Sequence, residues 1–243
     1  MTTVLKLGGS VVTKKDEPET VDESNLERAA AAVSSVDGGL VVVHGGGSFG
    51  HYHASEHDVS VSDGTHDDDA VRAIHGAMMR LNDAVVESLA ESGSPAVPVQ
   101  PLSCAVRDAD GDLALSTAPL RTLLEEGFVP VVHGDVVAHR TKGATILSGD
   151  ELVVSLARAL DADRVGVCSA VPGVYDADGE VVGRITALDE VADAVGESDA
   201  TDVTGGMAAK VRALLALDAD AFVFDIDGLE AFVDGEQPGT KIG

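Results

Sequence analysis

The chain has 243 residues, is 44% hydrophobic, and sets 42 Asp+Glu against 16 Lys+Arg for a formal net charge of -26. That apolar content excludes a disordered chain, and the acid excess excludes nucleic acid and anionic membrane as partners, since phosphate surfaces require clustered Lys and Arg. Neither a membrane span nor a signal peptide is expected, and Cys104 and Cys168, without a CxxC spacing, are too few for a disulfide scaffold. A cytoplasmic protein with reduced thiols is the expectation.

Short apolar, β-rich runs alternate with helix-forming stretches. Val4–Leu7 reads as a buried strand, Ser24–Val36 as a helix, Leu40–His44 as a strand and Ala70–Ser92 as a helix. After the strand Ala96–Gln100, the Asp-Ala-Asp-Gly turn in Ala105–Leu115 predicts a hairpin. Pro119–Glu126 is helical and Val129–His133 a strand; Val136–Ile146, turning at Lys142-Gly143, predicts a second hairpin. Both hairpins are expected on the edge of the main sheet. Helix Asp150–Leu160, strand Arg164–Cys168, helices Leu188–Val195 and Met207–Leu217, and strand Ala221–Asp225 complete the pattern, with another hairpin turn at Asp176–Gly179. The alternation predicts an α/β fold: an open, mainly parallel sheet between helical layers. One domain over residues 1–243 is expected, with a change of role near residue 148.

The acids form no single tail but run through Asp16–Glu27, Asp67–Asp69, Asp108–Asp112, Asp176–Glu180 and Asp189–Asp202. An acidic surface this poor in lysine suits high salt, where screening removes self-repulsion. Six lysines remain, Lys6, Lys14, Lys15, Lys142, Lys210 and Lys241, and their scarcity marks them as candidates for chemistry.

Three glycine-rich turns stand out. The first strand runs into Lys6-Leu7-Gly8-Gly9-Ser10, the second into His44-Gly45-Gly46-Gly47-Ser48-Phe49-Gly50-His51, and Thr204-Gly205-Gly206-Met207 precedes a helix. Glycines directly after a strand let backbone N–H groups approach phosphate oxygens, and a following helix adds its N-terminal field. Gly45, Gly47 and Gly50 also satisfy GxGxxG, with Asp67–Asp69 near the acidic offset of a dinucleotide fingerprint. That pattern normally belongs to the first strand of its unit, and here another glycine loop comes first. No P-loop motif is present.

Lys6–Ser10, His44–His51, His133-Gly134-Asp135, Ser148-Gly149-Asp150 and Asp202–Lys210 together resemble the amino acid kinase family, in order and over essentially the whole chain. The Gly50-His51 ending is narrower. It is similar to the archaeal branch that phosphorylates isopentenyl phosphate, and fosfomycin kinases share it. The resemblance implies a three-layer αβα sandwich from a halophilic archaeon that uses ATP and Mg2+ and forms a homodimer. Residues 1–147 would bind the acceptor and 148–243 the nucleotide.

By the same resemblance, Lys6 reaches across the transferring group, Lys15 stabilises the transition state with Lys14 as its adjacent alternative, and Asp150 orients the lysines. Gly45, Gly50, His51 and Gly149 would hold the acceptor. Gly8, Gly9, Ser10, Gly46, Ser169, Gly205 and Lys210 would hold the nucleotide together with Lys6. A phosphate acceptor is already an anionic nucleophile, so direct in-line attack needs no general base. One departure is plain: where the family usually carries two acids, this chain has Ser169-Ala170-Val171-Pro172-Gly173.

In Ala70–Ser92, Val71, Ile74, Met78, Leu81 and Val85 form one stripe, read as core packing and compatible with an apolar acceptor tail. His53, His57, His66 and His75 lack a metal-ligand spacing, so no structural metal is expected. The rival readings are a same-fold kinase for another phosphate or phosphonate acceptor of the fosfomycin type, a nicotinamide-dependent oxidoreductase and a nucleotide sensor without turnover.

Overall fold

The computed structural model describes residues 1–36, 38–191 and 206–243. Its first strands are β1 (Thr2–Leu7), β2 (Gly39–His44), β3 (Ala96–Val99), β4 (Ala105–Arg107), β5 (Leu113–Leu115) and β6 (Val129–His133). Then come β7 (Asp135–His139), β8 (Gly143–Leu147), β9 (Arg164–Cys168), β10 (Arg184–Ile185), β11 (Asp220–Phe224) and β12 (Thr240–Ile242). The helices are α1 (Gly9–Val12), α2 (Glu23–Val33), α3 (Gly47–Glu56), α4 (Asp68–Glu91) and α5 (Pro101–Cys104). They continue with α6 (Ala118–Glu125), α7 (Gly149–Ala159), α8 (Gly206–Leu215) and α9 (Leu229–Val233).

Eight strands form the main sheet in the order β10-β12-β11-β9-β1-β2-β6-β3. The run from β11 to β3 is parallel, and β12 turns back antiparallel on β11. Alternate residues of each strand feed opposite layers. Val4, Val41, Val43, Val165 and Val223 pack with Leu120, Leu152, Leu156 and Leu214 of α6, α7 and α8. Leu5, Leu7, Leu40, Val42 and Phe222 pack with Leu26, Leu81, Leu89 and Phe232 of α2, α4 and α9. A sheet covered on both faces needs continuous apolar strands, which is why these read as unbroken valine-rich runs. Each fully buried Leu or Phe contributes about 1.5–3 kcal/mol. This is the expected three-layer arrangement.

The hairpins depart from expectation. Instead of extending the main sheet, they build a second four-stranded sheet, β5-β4-β7-β8, in which β4 and β7 pair in parallel. Local turn chemistry fixes each hairpin but not its partner. The second sheet packs on α4 through Val136, Ala144, Ile74 and Ala70. Buried Arg107 locks it to α7: its guanidinium donates to both carboxylate oxygens of Glu151 at 2.6 and 2.5 Å and to the Gly111 and Ile146 carbonyls.

The helix expected over Leu188–Val195 is also corrected in its described part. Leu188–Glu190 is a single 3-10 turn, tied by the Glu190 carboxylate accepting from Thr186 and Ala187; residues 192–195 lie outside the described residues. The turn at Asp176–Gly179 does close a short hairpin, with Tyr175 bridged to Val181. Helix α3 was not expected, because Gly47, Ser48, Gly50 and His51 are poor helix formers; burial of Phe49 against the α4 layer overrides that preference. Both cysteines are free thiols. Among the described residues, no helix is long and apolar enough to cross a membrane.

Candidate active site

Strand register builds the site. His133 lies beside His44, His44 beside Leu7, and Leu7 beside Cys168, so four parallel strands end in one row. The next residues, Gly134, Gly45, Gly8 and Ser169, share that edge, where open α/β sheets bind ligands. A cavity of about 840 Å³ opens above it, within the range of small-molecule sites.

The glycines do two jobs. A Cβ on Gly9 would stand 2.3 Å from the Gly47 nitrogen, and one on Gly45 2.7 Å from the Gly9 nitrogen. Gly47 has φ +47, a left-handed conformation that favours glycine. Part of the glycine signal therefore serves the packing of one loop on the other. The same glycines, together with Gly8, Gly46, Gly50, Gly134 and Gly149, also form backbone wall of the cavity, with the N-terminus of α3 adding its positive field.

Two stacked, buried imidazoles hold these loops from below, His44 and His133, with ring centroids 5.5 Å apart. Burial depresses them to about 4 and about 3, so both are neutral. A neutral ring has one N–H. On His44 Nδ1–H donates to the Gly45 carbonyl at 3.1 Å, and on His133 Nδ1–H donates to the Gly134 carbonyl at 2.9 Å. Each Nε2 must then accept, which assigns the Asn82 and Gln100 amides with nitrogen turned toward the rings. That rotation also partners Asn82 Nδ2, otherwise unsatisfied among the described residues. Since a peptide is planar and trans, fixing the Gly45 carbonyl on the ring turns the Gly46 N–H away from it.

Cations line the polar end. Buried Lys6 pairs with Asp150 through Nζ and Oδ1 at 2.7 Å. Burial opposes ionisation of Asp150, but the Lys6 and Lys210 ammoniums outweigh it and hold the carboxyl below its ordinary range. Ser148 caps α7 by accepting from the Glu151 N–H, which sets Gly149 and Asp150 at the helix start. Lys15 lies on the cavity wall and Lys14 outside it. His51 sits in the second turn of α3, also on the wall. Ser10, Ser169, Ala170 and Lys210 complete this end; Asp202, Thr204 and Gly205 lie outside the described residues. Part of the wall is apolar: Ala54, Ile74 and Ile146, which pack together, and Met78, which lies against Gly50. A Cβ on Gly50 would stand 2.7 Å from Met78 Sδ, so glycine there keeps α4 against the loop.

The acids of the competing dinucleotide pattern are engaged elsewhere. Asp67 caps α4 by accepting from the Asp69 N–H, and exposed Asp68 and Asp69 pair with Arg72. Their carboxylates also lie close enough together to be weighed as cation ligands. All three are exposed surface acids, and none lines the cavity.

A model of the amino acid kinase family matches residues 1–219. The chain belongs to the amino acid kinase family. It is 65% identical over 241 residues to isopentenyl phosphate kinase of Haloferax volcanii, covering 98% of this chain and 97% of that one. It is 38% identical to isopentenyl phosphate kinase of Methanothermobacter thermautotrophicus, over 88% of this chain and 86% of that one. A solved structure of isopentenyl phosphate kinase superposes with a TM-score of 0.85 at 31% identity, covering 100% of both chains.

The residues singled out from sequence thus gather on one cavity, apart from Lys14 and the undescribed Gly205. Sequence reasoning missed the polar supports: His44 and His133 under the loops, His75 bonded to buried Asp135 at 2.8 Å, and Glu19 bonded to His53 at 2.6 Å. His44 and His133 each directly precede a glycine at a strand end, a local signal that could have found them. The long-range pairs leave no such trace.

Proposed function

We propose that this chain transfers the γ-phosphoryl group of ATP to the phosphate of isopentenyl phosphate, giving isopentenyl diphosphate for isoprenoid synthesis. The observation that carries this reading is one cavity whose wall combines lysines and backbone donors with a small apolar set, Ala54, Ile74, Met78 and Ile146. A polyanion and a phosphate with a short apolar tail fit that combination. The high identity of kinases named for this acceptor agrees.

In this reading the nucleotide phosphates lie over Gly8, Gly9, Ser10 and Gly46, against Lys6, Ser169 and Lys210; Gly205, outside the described residues, is assigned to the nucleotide by the sequence motif alone. The acceptor phosphate lies on His51, Gly45, Gly50 and Gly149, its tail toward Ile74 and Met78. Holding two anions in line is the main barrier, so positioning and charge neutralisation dominate. Lys6, kept charged and oriented by Asp150, spans the two phosphates. Lys15 meets the charge that moves during transfer. The acceptor oxygen attacks without a base.

Among the described wall residues the acids are Asp16, Glu56, Asp135 and Asp150, with Asp150 held by Lys6 and Asp135 by His75. This donor set suits magnesium carried by the nucleotide's own phosphates and water rather than a protein cage. Bound there, the metal would neutralise phosphate charge. The division into an acceptor lobe (1–147) and a nucleotide lobe (148–243), a homodimer, a cytoplasmic location and adaptation to high salt belong to the same proposal.

An ADP-release assay across isopentenyl phosphate, dimethylallyl phosphate, fosfomycin, N-acetylglutamate and UMP tests it. Isopentenyl phosphate should give the highest kcat/KM. Preference for any acceptor outside the prenyl phosphates would overturn the reading.

A further inference from the structure

We propose that Glu19 is a positioning residue for phosphoryl transfer, clasping the loop that carries Lys15 onto the two helices that shape the acceptor end. The proposal rests on the role given above to Lys15.

The loop is closed at its base. Thr13 bridges Val21, and the Lys14 N–H donates to the Thr20 carbonyl at 2.9 Å. Its tip brings Lys15, Asp16 and Pro18 to the cavity wall. Lys15 and its neighbours to Pro18 are exposed, the tip being turned by the Glu17 N–H donating to the Lys14 carbonyl at 3.3 Å and the base held to α3 by the Ser48 N–H donating to Thr13 Oγ1 at 3.0 Å. Ordering exposed residues further is entropically unfavourable.

Glu19 adds a side-chain tie that reaches both α3 and α4. Its carboxylate accepts from His53 Nε2 of α3 at 2.6 Å, and from Arg80 Nε and Nη2 of α4 at 3.1 and 2.7 Å. Its own N–H donates to the Ser48 carbonyl at 3.2 Å. Glu19 holds φ +48, a left-handed conformation rare outside glycine, so the surroundings and not local preference set it there. The hydrogen bond from His53, opposed by burial and reinforced by Arg80, holds the carboxyl below its ordinary range, so the clasp is charged.

The partners matter as much as the bonds. His53 lies two residues after His51 on α3, with Tyr52 of the cavity wall between them. Arg80 lies on α4 two residues after Met78, which walls the apolar end. One carboxylate thus ties the candidate transition-state lysine to both helices of the acceptor end, which is the registration in-line transfer demands. Misplacement by about 1 Å can lower a rate roughly 10²-fold.

The test is a double-mutant cycle in steady-state turnover: wild type, Glu19→Ala, Lys15→Ala and the double variant, with thermal melts of each. Glu19→Ala should lower kcat about tenfold while KM for ATP stays within about twofold. In the Lys15→Ala background it should change kcat less than about twofold, because the group it positions is gone. Equal losses in both backgrounds would overturn the proposal, as would unchanged kcat in Glu19→Ala. Full turnover by Lys15→Ala would instead overturn the underlying reading of Lys15, and the clasp with it. Arg80→Ala, which removes half the clasp from an exposed helix face, provides a second cycle if Glu19→Ala fails to fold. Its smaller loss should vanish in the Lys15→Ala background in the same way.

Discussion

The two ends of the cavity are built by different means. The phosphate end sets lysine side chains over backbone at the ends of parallel strands, a backbone row made by sheet register and stiffened by two neutral imidazoles. The apolar end is side chain: Ile74 and Met78 from α4, and Ile146 from β8 in the second sheet. A backbone site cannot be altered without moving the sheet, whereas a side-chain wall changes with one substitution. In this reading the fold therefore fixes the nucleotide chemistry and leaves the acceptor tail to be set by a few residues.

The largest expected effect falls at the polar end. Lys15→Ala should lower kcat roughly 10²–10³-fold while leaving ATP affinity near wild type, because in the proposed mechanism Lys15 meets charge that develops during transfer. Single-turnover kinetics with separate ATP-analogue titration would check this. A matching loss of ATP affinity would make Lys15 a ground-state binding group.

At the apolar end the wall depends on the second sheet's attachment. Arg107→Ala leaves Glu151 without its partner and should destabilise the fold by about 3 kcal/mol. Thermal melts should fall by roughly 6–12 °C, and KM for isopentenyl phosphate should rise more than KM for ATP. Equal shifts in both KM values would contradict an independent tail wall.

The imidazoles give the phosphate end an acid signature. In the fold, burial pushes His44 down to about 4 and His133 down to about 3, from an ordinary 6.5. Above pH 6.5 both states are neutral. Below it the unfolded chain takes up protons that the fold excludes, so stability is lost as pH falls from about 6.5 toward 4, by about 2–3 kcal/mol per ring. Melts over that range should show a shallower slope for His44→Gln than for wild type; equal slopes would remove His44 from this role.

Salt should have the smallest effect on either end and the broadest effect on the fold. With a net charge of -26, self-repulsion eases as the screening length shrinks to about 3 Å at 1 M. Melting in molar KCl should exceed that in low salt by several degrees, and equal melting temperatures would exclude the halophilic reading.

The same contrast explains what the sequence disclosed. The polar end was legible because Lys6–Ser10, His44–His51 and Ser148-Gly149-Asp150 are contiguous motifs at strand and helix ends. The main sheet was legible because its strands are buried on both faces. The second sheet was misplaced because a hairpin's turn does not name its partner strand. Helix α3 was missed because packing of Phe49 overrides poor local propensity. Glu19, His53 and His75 bond partners 34 to 61 positions away, where no periodicity points.

The most direct test of the two-ended site is calorimetry on His51→Ala, titrated separately with a non-hydrolysable ATP analogue and with isopentenyl phosphate. His51 lies on the cavity wall in the second turn of α3, just after the glycine loop. The account predicts that ATP-analogue affinity stays near wild type while isopentenyl phosphate binding weakens by on the order of 2–4 kcal/mol, as for other charge-assisted contacts removed. Loss of nucleotide affinity with acceptor affinity intact would contradict it, because the two ends would then be assigned the wrong way round.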